Sequence, residues 1–167
     1  MKKVVLVIVP LLLVSFVLAG PKGPQGPKGD GPLPAPENLT ATVDGTIITC
    51  TWTAVPGATK YSLEACLVGV ASDGTTEFPI KVKACVSVPQ PEPTDPPTTT
   101  VAGALDIAQA IEDALVAAGA DPKAILSISL EGMVHVKAMN PGKKAGPQNH
   151  PWSESVAITY EWPEEVD

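Results

Sequence analysis

Few residues of this sequence could do chemistry: two histidines, three cysteines and two pairs of neighbouring acids at 112–113 and 164–165. His135 alternates outward on a predicted strand and His150 lies in a loop, so neither has a nucleophile or an orienting group placed beside it. Two histidines without spaced cysteines or carboxylates make a poor zinc site. The acid pairs are interpreted as a solvated helix face and a tail. The sequence therefore predicts no enzyme activity, no cofactor and no metal site.

The three cysteines leave at least one thiol unpaired within a single chain. Alternation predicts that Cys50 points inward as a small hydrophobic residue. Cys66 and Cys85 point outward on strands that flank the Asp73-Gly74 turn, so a cross-strand disulfide between them is geometrically plausible. The alternative is two free thiols on that face.

The charge balance excludes one class of partner. The 167 residues hold 18 acidic residues against 11 lysines, no arginine, and a net charge of −7. A nucleic-acid binder needs clustered cations and commonly uses arginine forks, so nucleic acid is not expected as a partner. The 19 prolines and 14 glycines exceed ordinary usage and predict linkers and turns.

Residues 1–19 have the three parts of a secretory signal: a basic start, an uncharged run of sixteen residues, and a small-residue exit at Ala19. Sixteen helical residues span about 24 Å, short of the ~30 Å hydrocarbon core, and Pro10 interrupts the run. We expect a cleaved signal and a protein that is secreted or displayed at the cell surface. A retained membrane anchor and a buried core segment are the alternatives, and only the anchor would make the membrane a partner.

Residues 20–35 read as a collagen-like and Pro-rich linker. Three Gly-Pro-X triplets run from Gly20 to Lys28, and Gly31 breaks the period. Collagen needs Gly at every third position, but three triplets are too few to hold a trimer unaided. We interpret the run as an extended spacer, with a trimer nucleated elsewhere in the chain as the alternative.

From Leu39 onward, apolar and polar residues alternate with period two between turn residues such as Asp44-Gly45. Each predicted strand has one apolar face, which is typical of two packed sheets. The residues predicted to face inward are Ile48, Cys50 and Trp52, then Tyr61, Leu63 and Ala65, then Ile80, Val82, Ala84 and Val86.

The order of these segments resembles a fibronectin type III domain. Residues 36–42 and 49–64 look like its first half, with Trp52 and Tyr61 at the places of two core aromatic residues. Residues 134–142 resemble the penultimate strand with its exit turn, and residues 152–159 resemble the last strand. The resemblance implies a mainly β, immunoglobulin-like sandwich over residues 36–160. Its core is expected to include Trp52, Tyr61, Cys50, Val134 and Val136.

The resemblance is interrupted by an insertion at about residues 89–124. Thr98–Val101 looks like the fifth strand of the family, and Ser127–Leu130 is the alternative. Residues 161–167 form an acidic tail after the domain.

Within the insertion, apolar residues recur at 3–4 spacing from Leu105 to Ala118, which predicts a helix of about three turns. Asp106 and Gln109 stand three apart, as in a capping box at the helix start. Gly119 is the expected stop.

The resemblance implies a non-catalytic role in protein binding, adhesion or spacing. Recognition is expected at the loop 142–151 with Trp152 at its end, and on the exposed side of the helix. Lys143, Lys144 and His150 lie in this loop of an otherwise acidic protein. The expected partner is therefore an acidic extracellular protein or envelope component.

Two other functions stay open. A structural subunit of an extracellular assembly would use the collagen-like run and the sheet edges, and a trimer or polymer in solution would indicate it. A carbohydrate-binding accessory module would need an exposed aromatic platform, for which Trp152 and Trp162 are the candidates. The sequence leaves the oligomeric state unknown.

Overall fold

The computed structural model describes residues 33–92, 99–140 and 151–162. The predicted signal at 1–19, most of the linker at 20–35 and most of the tail at 161–167 lie outside the described residues. Seven strands and one helix follow in chain order: β1 (Thr40–Asp44), β2 (Ile47–Thr53), β3 (Lys60–Ser72), β4 (Glu77–Pro89), β5 (Thr100–Asp106), α1 (Ala108–Ala117), β6 (Ser127–Met139) and β7 (Val156–Trp162).

The strands form two antiparallel sheets, so the prediction of a mainly β protein with one helix is confirmed. The three-stranded sheet has the order β1-β2-β5, and the four-stranded sheet has the order β4-β3-β6-β7. This arrangement is compatible with a β-sandwich. β5 pairs with β2 from Thr53↔Thr100 to Ile47↔Asp106, whereas Ser127–Leu130 is the beginning of β6. The fifth strand therefore begins within the stretch predicted for it.

Alternation places the predicted inward residues in the core between the sheets. Trp52 and Tyr61 meet edge to face, with ring centroids 5.2 Å apart. The Tyr61 hydroxyl accepts the Val55 N–H at 2.8 Å and donates to Gln90 Oε1 at 2.6 Å. Burial raises the pKa of this hydroxyl. The other members predicted for the core are also fully buried: Cys50, Val134 and Val136.

The four-stranded sheet is much longer than the sheet opposite it. β3, β4 and β6 have 13 residues each, whereas β2 and β5 have seven. Helix α1 packs against β4, and its Ile111 and Leu115 join the same core cluster as Ile80 and Val82. The helix therefore covers the inner face of the long strands where the shorter sheet ends.

Two glycines let β3 and β6 lie unusually close together at this transition. Gly69 pairs with Leu130, and Gly132 pairs with Leu67. A Cβ atom on Gly69 would lie 1.9 Å from the Ser129 carbonyl oxygen, and one on Gly132 would lie 2.1 Å from the Cys66 carbonyl oxygen. Backbone blocks both positions, so neither tolerates a side chain without movement of a strand.

The two ends of α1 match the sequence prediction unequally. Asp106 accepts the Ala108 N–H at 2.9 Å, but Ile107 is the N-cap residue and the Gln109 side chain donates to Asp113. The capping box is therefore wrong, because Asp106 still belongs to β5 and Gln109 has a partner one turn onward. The stop at Gly119 is confirmed: its φ is +80°.

Two hydrogen bonds complete the helix end as a Schellman motif. The N–H of Gly119 donates to Val116, and the N–H of Ala120 donates to Leu115.

Candidate binding face

The side of the four-stranded sheet that points away from the core carries the groups most able to act on another molecule. We call this side the outer face. It consists of alternate residues of β3, β4, β6 and β7, together with Trp152, which forms an isolated bridge with Lys137 beside β6. The same alternation that buries one residue places the next one here.

Three groups converge on a single oxygen of Glu64 at the middle of this face. Lys83 Nζ lies 3.2 Å from Glu64 Oε1, His135 Nε2 lies 3.5 Å from it, and the Cys66 thiol donates to it at 3.6 Å. Burial pushes the pKa of Glu64 upward, but the hydrogen bond and charge of Lys83, with smaller help from Cys66 and His135, hold it below its ordinary value. Glu64 is therefore the charged centre of the outer face.

The predicted disulfide between Cys66 and Cys85 is wrong: all three cysteines are free. Both thiols lie on the outer face, but the register pairs Cys66 with Lys83 and Cys85 with Glu64. Diagonal neighbours of this kind lie about 7–8 Å apart, which exceeds the separation of most disulfide-bonded residues. Burial, and then the negative charge of Glu64, raise the pKa of the Cys66 thiol.

Trp152 stands at the end of the outer face as a fixed aromatic group. Its ring centroid lies 4.1 Å from that of His135, and Lys137 Nζ lies 5.4 Å from the Trp152 centroid. The next residue, Ser153, is buried and holds this segment on β6. Its N–H donates to the Val136 carbonyl at 2.8 Å, and its hydroxyl accepts the Val136 N–H at 3.0 Å. Trp152 therefore has a defined position before any partner arrives.

Exposed apolar side chains lie beside this polar cluster. Met133 and Val68 are each 56% exposed, and Val70 is 38% exposed. Met133 is paired with Cys66, so Val68 is its diagonal neighbour, and Val70 follows on the same strand and face. Large apolar groups collected on one exposed face are typical of an interaction surface.

The outer face also collects the cations of an acidic protein. Among the residues that the structure describes, lysine occurs five times, and four of these lysines lie on the outer face: Lys60, Lys81, Lys83 and Lys137. Four carboxylates share that face: Glu64, Glu77, Glu131 and Glu161. The rest of the described chain carries Lys123 against nine carboxylates: Glu37, Asp44, Asp73, Glu92, Asp106, Glu112, Asp113, Asp121 and Glu154. The outer face is therefore balanced, while its surroundings are strongly negative.

The residues predicted for binding are only partly described. Lys143, Lys144 and His150 lie outside the described residues, and Trp152 lies on the outer face. Trp162 pairs with Ile128, nine residues along β6 from the Trp152 bridge at Lys137. That separation is about 30 Å, so the two tryptophans cannot form one aromatic platform.

The most informative residues of this face were not singled out from sequence. Glu64, Lys83, Lys137 and Met133 are ordinary strand residues in the sequence, and only their outward alternation marks them. That alternation could have placed them on one face, but it could not have shown that three groups meet at one oxygen of Glu64.

Neither a metal site nor a membrane-spanning helix occurs in the described residues. No group of three or more histidine, cysteine or acidic residues within 33–92, 99–140 and 151–162 is placed to hold a metal ion. In the same part of the chain, no helix is long and apolar enough to cross a membrane, since α1 has only 10 residues.

In a comparison with known proteins, no protein-family model matches the chain, and neither a curated protein nor a solved structure matches it.

Proposed function

We propose that this chain is an exported, non-catalytic module of the fibronectin type III kind, which binds an extracellular partner through its outer face. The two antiparallel sheets, β1-β2-β5 and β4-β3-β6-β7, support the fibronectin type III part of the proposal, since they are compatible with the β-sandwich that the resemblance implies. The signal-like residues 1–19 support export.

One observation carries the choice of surface. Four of the five lysines in the described residues lie on the outer face, together with the exposed Val68 and Met133. The negative surroundings of the outer face repel an acidic partner, whereas the lysines on that face attract it. An acidic partner is therefore directed to the outer face. The exposed apolar groups supply the area that such a partner would remove from water.

The partner is therefore an acidic protein segment with apolar side chains. Lys143, Lys144 and His150 precede Trp152 by fewer than ten residues in the sequence and extend the same charge preference. The aromatic group of Trp152, held against His135, adds a rigid contact of the kind that interfaces favour.

The experiment is an NMR titration of the chain from Gly20 to Asp167 with the peptide Glu-Leu-Glu-Leu-Glu-Leu. Shifts are expected at Val68, Lys81 and Met133. The double variant Lys81→Glu, Lys137→Glu should weaken binding by about tenfold, since each exposed ion pair contributes up to about 1 kcal/mol.

Lys123→Glu is the control, because it makes one such Lys→Glu exchange away from the outer face. Equal losses for the double variant and the control would show a general charge effect and contradict the proposal. Shifts confined to residues outside the outer face would contradict it as well.

Export has its own test, which is the intact mass of the protein recovered from its producing cells. A mass that begins at Gly20 is expected. A full-length mass would overturn the secreted form of the proposal and favour a retained anchor.

A further inference from the structure

A cleft of about 570 Å³ separates two segments at the side of the sandwich. One wall is the segment Ala35–Leu39, which leads into β1, and the other runs from Trp152 to Val156, which leads into β7. The volume is within the range of protein ligand sites. Trp152 borders both the cleft and the outer face, and Lys137 of the outer face lies over its ring.

Both walls are held by hydrogen bonds, so the cleft is formed in advance. The Glu37 carbonyl accepts the Thr53 N–H at 2.8 Å, and the Asn38 amide donates to Thr53 Oγ1 at 2.9 Å. On the opposite wall, the Ser153 hydroxyl accepts the Val136 N–H and donates to the Glu154 carbonyl at 2.8 Å. A preformed site loses less conformational entropy on binding than a mobile one.

The lining fits an extended segment that contains proline and lysine. Trp152 supplies an aromatic surface, and grooves with such surfaces bind polyproline-like segments whose backbone is extended before binding. Glu37 and Glu154 are exposed carboxylates on opposite walls, so they favour a cationic side chain between them.

The sequence contains such a segment. Residues 20–31 read Gly-Pro-Lys-Gly-Pro-Gln-Gly-Pro-Lys-Gly-Asp-Gly, with a proline in each of three triplets and lysines at Lys22 and Lys28. We infer that the cleft binds residues 20–31 of a second copy of the chain.

Binding within one chain is disfavoured by the residues between the segment and the wall. Residues 20–31 would have to turn back sharply at positions 32–34 to lie along Ala35–Leu39. Leu33 is packed against the core, and Pro32 and Pro34 restrict their own backbone and that of the preceding residue. A segment supplied by another copy joins one surface to a different one, which produces head-to-tail assembly.

The test reverses the charges of the cleft or of residues 20–31. Self-association of the chain from Gly20 to Asp167 is measured by sedimentation velocity over a range of concentrations. The unmodified chain should associate as its concentration rises. Glu37→Lys with Glu154→Lys should weaken association by about tenfold, and Lys22→Glu with Lys28→Glu should do the same. A mixture of these two double variants should associate again, because each copy then offers the other the opposite charge.

A synthetic peptide with the sequence of residues 20–31 gives a second measurement. It should bind the Lys22→Glu, Lys28→Glu chain in a fluorescence anisotropy titration, and replacing its prolines by alanine should weaken binding. Asp44→Lys with Asp121→Lys is the matched control, because it makes the same charge change as the cleft variant at exposed carboxylates that do not line the cleft, and it should leave association unchanged. A chain that stays monomeric at every concentration, association insensitive to both exchanges, or no recovery in the mixture would each overturn the inference.

Discussion

The inner and outer faces of the four-stranded sheet come from the same strands but follow different rules. On the inner face, Leu63, Leu67 and Leu130 are fully buried, and each position is defined by volume and shape. On the outer face, Glu64 forms an ion pair with Lys83 and has His135 opposite it on β6, so the strand register decides which side chains meet. Burial away from water therefore determines which residues occupy the inner face, whereas strand register determines which side chains meet on the outer face.

The largest contrast should come from two residues of β6 that lie three positions apart. Leu130→Ala on the inner face should lower the free energy of unfolding by about 2–5 kcal/mol, because it leaves a cavity in the core. Met133→Ala on the outer face should change it by less than about 0.5 kcal/mol, because the Met133 side chain is exposed. Urea denaturation of both variants measures the difference, and similar losses would contradict the division into two faces.

The second-largest loss of stability is expected at Gly69, where β3 and β6 approach closely. Gly69→Ala places a methyl group against the Ser129 carbonyl oxygen, and we expect a loss of about 3 kcal/mol. Gly45→Ala is the control, since no atom lies within 4 Å of its added Cβ and only the positive φ of 50° is unfavourable. That backbone cost is about 1–2 kcal/mol. Thermal unfolding distinguishes the two, and an equal effect would mean that close approach is unimportant at Gly69.

The buried thiol on β2 should make stability fall at high pH. Burial raises the pKa of Cys50 from 9.0 to about 11. The unfolded chain therefore loses this proton first, and stability falls as pH rises from about 9 towards 11, by about 2 kcal/mol. Denaturation at pH 8 and pH 10.5 measures the loss, and Cys50→Ala should remove much of it. A pH dependence unchanged in that variant would place its cause elsewhere.

The smallest effect is expected at the charged centre of the outer face. Glu64→Gln should cost less than about 1 kcal/mol at pH 7, because partly exposed ion pairs contribute little. The pKa of Glu64 is lower in the folded state, so its contribution is present above its unfolded value and is lost as pH falls through the folded value. The difference between the two proteins should therefore shrink between pH 6 and pH 3, and a constant difference would contradict this account.

The core was predictable because burial leaves a local mark in the sequence. Ile48, Cys50 and Trp52 alternate with threonines, and that period needs no knowledge of the neighbouring strand. The helix end at Gly119 was equally local, since a glycine after a 3–4 pattern is a common stop.

The wrong disulfide prediction arose where one strand had to be aligned with another. Alternation correctly placed Cys66 and Cys85 on the same face, but a shift of two residues in the hairpin leaves alternation unchanged and alters every partner. The close backbone approach at Gly69 and Gly132 could not be predicted for the same reason, because it depends on the register of β3 with β6. The cleft was also hidden, since its walls come from opposite ends of the domain.

The pairing of β2 with β5 has a consequence for how the chain folds. These two strands are joined by hydrogen bonds, but the whole β3–β4 hairpin lies between them in the sequence. The hairpin can form from nearby residues, whereas the three-stranded sheet must first close a long loop, which costs entropy before any contact compensates it. The β3–β4 hairpin should therefore form early, and the pairing of β2 with β5 should form late. Refolding should take milliseconds to seconds, as in other proteins rich in strand pairs that are distant in sequence.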